Sequence, residues 1–301
     1  LISRFRGAFL GAALGNILGT NCRRSIASLP WQAVEQWGFT DVLSSGLTAG
    51  QLIVEQTQHI IRAPHSLHPL SIQLDNSSDC LMAVLPWLLF YHDNPQQIRF
   101  LLSSVQVVPD SIIPEILTLN TVLTAALREQ LNPLNLDRLL PKLVQDLDLD
   151  QTAPQLVVQL QHTQTCLTQA LPLTDGLFSL LSPLPLALYA FLHTPTDLRL
   201  SLLRVAQIAT HPELTCTIAG FLIGANLSSA GIPTRWRRML DRSTAEASPL
   251  FHLWGLPNTT ALLNLADQLW AAWSGAFQPE QWLQNPVSTT VTAAPHLIRP
   301  R

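Results

Sequence analysis

Gly7, Gly11, Gly15 and Gly19 follow one another at four-residue steps in RFRGAFLGAALGNILG, residues 4–19. On an α-helix that spacing lays all four on one nearly straight stripe. The physical use of a stripe without side chains is close approach of another backbone. A second stretch has the same property: Thr210 to Trp236 reads THPELTCTIAGFLIGANLSSAGIPTRW. Pro212 suits a first helical position, Ile218, Phe221, Leu222, Ala225 and Leu227 recur with roughly helical spacing, and Gly220 and Gly224 lie one turn apart. The two stretches predict central, closely packed helices over Arg4–Gly19 and Thr217–Leu227. The second should stop near Ser228 and Ser229, ahead of a turn at Gly231-Ile232-Pro233.

The remaining composition favours a large helical interior. Hydrophobic residues make up 47% of the 301 and charged residues 12%, about half the usual charged share of roughly 25%. Strand-like alternation is scarce, so the expected fold is a single all-α domain over residues 1–285 with a loosely ordered tail, 286–301. Net charge is −3 and Lys142 is the only lysine, which argues against nucleic acid as a partner. The one basic cluster, Arg235, Arg237 and Arg238, reads as a solvated helix start. Cys22, Cys80, Cys166 and Cys216 form no C-x-x-C pair; they read as buried free thiols in a reducing, cytoplasmic setting, and zinc has no local support.

Mean hydropathy is +0.23, so membrane readings must be weighed. The apolar segment between Arg6 and Arg23 has the look of a signal peptide but is short for a bilayer span, which needs about 20 apolar residues. The other apolar run, Gly176 to His193, is broken by Pro183 and Pro185. No membrane association is expected.

Several elements in order carry a family resemblance. The opening resembles R-x-R-G-x-x-x-G-x-x-x-G-D-x-x-G of the ADP-ribosylglycohydrolase family, with Asn16 where that family has Asp. The stretch 210–236 resembles the family's C-terminal signature, and the helix of Gly46 to Ile61 its Thr-Asp-Asp-Thr helix. Asp75 to Pro86 is similar to its Asn-Gly-x-x-Met-Arg-x-x-Pro element, with Met82 and Pro86 matching, and Gly176 to Ala209 to its proline-rich pair of helices, in which Thr196 would cap the second. The resemblance implies cleavage of a glycosidic bond between ADP-ribose and a side chain or small molecule, with a magnesium pair orienting the ribose and an activated water attacking.

The residues that would do this are mostly replaced. The family's Gly-Asp-x-Asp-Thr loop falls on Thr210, His211, Pro212, Glu213 and Leu214, and its Thr-Asp-Asp-Thr run on Leu47, Thr48, Ala49 and Gly50. An alternative alignment puts Thr40-Asp41 in that second role. Ser78, Asp79 and Ala83 stand for the Asn, Gly and Arg. One carboxylate, Glu213, does not hold two metals, so no metal or other cofactor and no assigned catalytic residue are expected. Thr48, Ser78, Asp79, His211 and Glu213 remain as ligand-pocket candidates. The leading expectation is a catalytically impaired member acting as a binding or regulatory module, with an ADP-ribose-like small molecule or a protein as partner. The alternatives are a hydrolase of altered mechanism using Asp41, Asp79, His211 and Glu213, and an assembly protein without ligand. Elsewhere, Ile112–Leu131, Leu134–Leu147 and Thr259–Phe277 read as helices, Trp31–Ser45 as loop-rich with a short helix, and Asp146, Asp148 and Asp150 as no calcium loop, since the Gly and Glu of an EF-hand are missing.

Overall fold

Proline opens five of the helices, which is how 22 prolines coexist with an all-helical chain. The computed structural model describes residues 1–24, 48–63, 77–104, 109–131, 139–169, 176–241 and 248–275. The readings for Trp31–Ser45, Thr40-Asp41, Gly46–Leu47, Asp75–Asn76 and the tail 286–301 lie outside the described residues. Among those described, the regular elements are helices and none is a strand. They run α1 (Ile2–Arg24), α2 (Ala49–Arg62), α3 (Ser77–Phe90), α4 (Pro95–Ser104), α5 (Ile113–Leu127), α6 (Leu139–Asp146), α7 (Leu149–Thr152) and α8 (Pro154–Gln169). After a 3-10 turn at Gly176–Leu180 follow α9 (Pro183–His193), α10 (Leu198–Ile208), α11 (Pro212–Leu227), α12 (Thr234–Leu240), α13 (Pro249–Trp254) and α14 (Thr259–Ser274).

α1 and α11 pack antiparallel through their glycines. A Cβ added to Gly11 would lie 2.0 Å from the Gly220 carbonyl oxygen, and one added to Gly220 would lie 2.1 Å from that of Gly11. Gly7 meets Gly224 in the same way, Gly15 meets the Cys216 carbonyl, and Gly19 meets Pro212 and Glu213. Each step of four along α1 is matched by a step of four back along α11. The two backbones therefore touch over about 18 Å, the rise of twelve helical residues. Around this pair one apolar core continues into the other helices, with Phe5, Phe9, Trp87, Phe191, Phe221 and Trp254 among its largest buried side chains. None of the described helices is long and apolar enough to cross a membrane.

Polar side chains fasten the ends of the central pair. Arg4 donates from Nη1 to the carbonyls of Ala126 at 2.7 Å, Asn226 at 3.0 Å and Ala225 at 3.3 Å, capping the C-termini of α5 and α11 together. Its other nitrogen pairs with Glu129 at 2.6 Å. Arg6 makes a bidentate pair with Asp267 on α14, both bonds 2.6 Å. His92, buried where α3 ends, lies against Phe5 and Trp273 and donates from Nδ1 to the Leu89 carbonyl.

Some expectations are corrected. α1 runs to Arg24, a turn beyond the glycine stripe. The expected break in the run Gly176–His193 is seen, with the 3-10 turn before Pro183 and α9 after it, and Pro185 sits in the first turn of α9, where a missing N–H is harmless. α10 is capped by Asp197, whose carboxylate accepts from the Leu200 N–H at 3.0 Å, and not by Thr196; Asp197 is the residue directly before the first helical one. Cys22 is half-buried where the other three cysteines are buried, and all four are free.

The glycine contacts generate a stability prediction. Gly11→Ala or Gly220→Ala should cost about 3 kcal/mol or more, the upper end of overpacking, because backbone atoms are met and nothing can rotate aside. Gly176→Ala, with nothing within 4 Å of its added Cβ, should leave the urea midpoint nearly unchanged. Equal midpoints for all three would contradict the packing.

Candidate functional site

The start of α2 is held by Thr48. Its hydroxyl accepts from the Gln51 N–H at 3.3 Å while the Gln51 side chain accepts from the Thr48 N–H at 3.0 Å, a reciprocal capping box. The same hydroxyl donates to the carbonyl of Leu253 in α13. Two residues on, Gly50 faces α13 so closely that an added Cβ would lie 2.4 Å from Cδ1 and 2.5 Å from Nε1 of Trp254. The Trp254 indole is fully buried, and its Nε1–H donates to Oδ1 of Asn16 on α1 at 3.2 Å. Asn16, also fully buried, turns its amide nitrogen to Oε1 of Glu213 in the first turn of α11 at 3.5 Å. A polar relay thus runs from α13 through α1 to α11, with the indole between Gly50 and Asn16. Its oxygens are engaged: Thr48 with Leu253, Asn16 with Trp254, Glu213 with Asn16. Among the described residues no group of three or more His, Cys, Asp or Glu side chains stands together as a metal site would require.

A separate cleft of about 590 Å³ opens among the starts of α3, α5, α8, α9 and α11. Leu81, Ile112, Leu156 and Leu214 are buried apolar residues in its wall, and Ser78, Gln159, Ser182 and His211 supply polar atoms. Gln159 is oriented by Ser182, whose N–H donates to its Oε1 at 3.1 Å and whose hydroxyl donates to the same oxygen. Glu115, in the first turn of α5, brings a half-buried carboxyl into this wall, and burial raises its pKa above the ordinary carboxylate value.

Four of the five candidates from the sequence divide between the two places. Ser78 and His211 line the cleft, His211 as the exposed residue just ahead of α11. Thr48 and Glu213 belong to the relay. Asp79, half-buried in the first turn of α3, is not among the cleft-lining residues. Asp41 lies outside the described residues. Trp254 and Glu115 were not singled out from the sequence: 238 positions separate Trp254 from Asn16, and Glu115 stands alone on an apolar helix with no neighbouring motif. The one available signal was Asn16, a polar residue in the midst of the glycine stripe.

A family model described as ADP-ribosylglycohydrolase matches residues 46–279. The match begins beyond α1 and takes in α2 to α14. No curated protein matches the chain.

The Glu115 environment sets a pH signature. A carboxyl whose folded pKa is raised favours the fold while protonated, and stability is lost as pH rises through the folded value. Glu115→Gln stays neutral throughout. The variant should melt about 2 °C above the parent at pH 8, the scale of a fraction of a kcal/mol up to one in a domain this size, and together with it at pH 4. A lower melting point at pH 8 would mean that the carboxylate is stabilised where it stands.

Proposed function

The chain belongs to the ADP-ribosylglycohydrolase family, and from that premise we propose that it is a member without metal-dependent hydrolysis, working as a binding or regulatory module. The observation that carries this reading is the buried Trp254 indole between Gly50 and Asn16. In the family, carboxylates at the starts of the helices that correspond to α2 and α11 face each other across a magnesium pair. Here the α2 side offers Thr48, Ala49 and Gly50, and the indole stands against Gly50. Magnesium calls for near-octahedral oxygen at about 2.0–2.1 Å and keeps several of its waters. One carboxylate, one amide and one hydroxyl, each already engaged, do not fit that demand.

Asn16 supports the same reading. An aspartate there would put two carboxylates side by side with no cation between them, and one would have to take up a proton. The amide instead donates to Glu213 and accepts from Trp254, so a buried polar position is satisfied without metal. An altered hydrolytic mechanism draws no support from this geometry, since His211 is exposed at the cleft while Glu213 is turned to Asn16. The partner is an ADP-ribose-like small molecule or a protein, and the cysteines, none of them in a disulfide, are in keeping with a cytoplasmic setting. No cofactor, membrane or nucleic acid enters the proposal.

Two measurements test it. The full chain, incubated with an ADP-ribosylated protein and magnesium, should release no ADP-ribose, and calorimetry should show no saturable magnesium binding from micromolar to low-millimolar concentration; turnover by the parent overturns the reading. Installing Thr48→Asp, Ala49→Asp, His211→Asp and Glu213→Asp together should still give no magnesium binding. Adding Trp254→Ala to that set should allow some, at a stability cost of about 3–5 kcal/mol for the lost indole. Hydrolysis should stay absent, because catalytic groups must be held to about 0.5 Å by surroundings that have also changed.

A further inference from the structure

We propose that the cleft among α3, α5, α8, α9 and α11 takes an organic cation, an alkylammonium or alkylguanidinium group whose head pairs with Glu115 and whose methylenes lie on Leu81, Ile112 and Leu156. The inference rests on reading the chain as a binding module, and of that reading's two partners it places in the cleft a basic side chain presented by a protein and not the diphosphate of an ADP-ribose-like molecule.

Size and lining come first. About 590 Å³ lies within the usual range of small-molecule sites, roughly 300–1,000 Å³. Its buried wall is apolar, which suits a short alkyl chain and contributes about 0.8 kcal/mol for each methylene covered. Among the described residues no lysine or arginine lines it, and the titratable side chains that do are Glu115 and His211. The Glu115 carboxyl makes no hydrogen bond or ion pair with the other described residues. A half-buried carboxyl without a partner is costly to keep ionised, and its raised pKa expresses that cost. A cation removes it, and a guanidinium can do so through two parallel hydrogen bonds.

An anionic ligand must be weighed against this. The starts of α8, α9 and α11 also border the cleft, and each helix start carries a partial positive charge of roughly half a unit that fades within one turn. Glu115 is a full negative charge inside the wall, and the start of its own helix, α5, favours its ionised form. A phosphate would meet that carboxylate with no lysine or arginine among the described lining residues to offset it. The balance favours the cation.

The test varies charge at constant shape. Butylguanidine, butylamine, butanol and butyrate are titrated into the full chain at pH 8, to favour the ionised carboxylate, with calorimetry and thermal shift as readouts. The two cations should bind at least about tenfold more tightly than butanol, the lower end of what a charge-assisted bond supplies, and butyrate should bind least. Glu115→Gln should lose at least about tenfold of the cation affinity and leave butanol unchanged, while its melting point, at or above the parent's, shows that it is folded. Butanol or butyrate binding as tightly as the cations would overturn the proposal, as would cation affinity that survives in Glu115→Gln. The two readings fail separately. Turnover of an ADP-ribosylated protein sinks the non-hydrolysing reading and leaves the cation site standing; absence of both turnover and cation binding sinks only the cation site.

Discussion

The contact on which the rest of this molecule depends is one between two backbones. Where Gly11 crosses Gly220, each carbonyl oxygen lies where the other residue's Cβ would be. Helices normally stand 8–10 Å apart because side chains intervene; here none does, and close Cα–H···O contacts recur along the pair. Individually these are weak, about 0.5–1 kcal/mol at most. Their value lies in repetition and in what they bring together. Because Gly19 rests on Pro212 and Glu213, the start of α11 is delivered to the flank of α1. Asn16 can then reach Glu213.

The polar relay and the cleft treat their buried polar groups differently. In the relay Thr48 meets Leu253, Trp254 meets Asn16 and Asn16 meets Glu213, so it behaves as a buried hydrogen-bond network. The cleft is the opposite case. There Glu115 stands in an apolar wall without a described partner, and the fold carries an unrelieved charge of the kind found where ligands bind. Two neighbouring regions of one framework therefore differ: the relay is closed on itself, and the cleft is open.

How much of this was legible in the sequence follows from the range of each signal. Glycine stripes, proline starts and the apolar recurrence of α11 are local, and they marked the central pair correctly. The start of α14 at Thr259 was also read from its neighbours and is seen, with Asn258 as its cap. Thr48 shows the limit of local reading. A hydroxyl at the start of a helix looks the same in sequence whether it faces a ligand or caps the helix, and here it caps α2 and ties it to α13. Trp254 was beyond reach, because nothing in FHLWGLP, residues 251–257, says that its indole will cross to α1. A motif can be read from a sequence, whereas a contact across 238 positions appears only when distant segments are brought together.

The four-residue repeat has one further consequence. A stripe of glycines at equal steps is degenerate: if α1 slid by one turn, Gly11 would meet Gly224, Gly15 would meet Gly220, and the backbones would fit nearly as well. The glycines alone thus specify closeness without specifying register. What breaks the degeneracy lies at the two ends, where Arg4 holds the last carbonyls of α11 and Asn16 holds Glu213 near its start. A slip of one turn, about 5.4 Å, would break both at once. Asn16 and Glu213 then serve as marks by which two smooth helices find their alignment, and that is a reason for both to be polar whatever else they do.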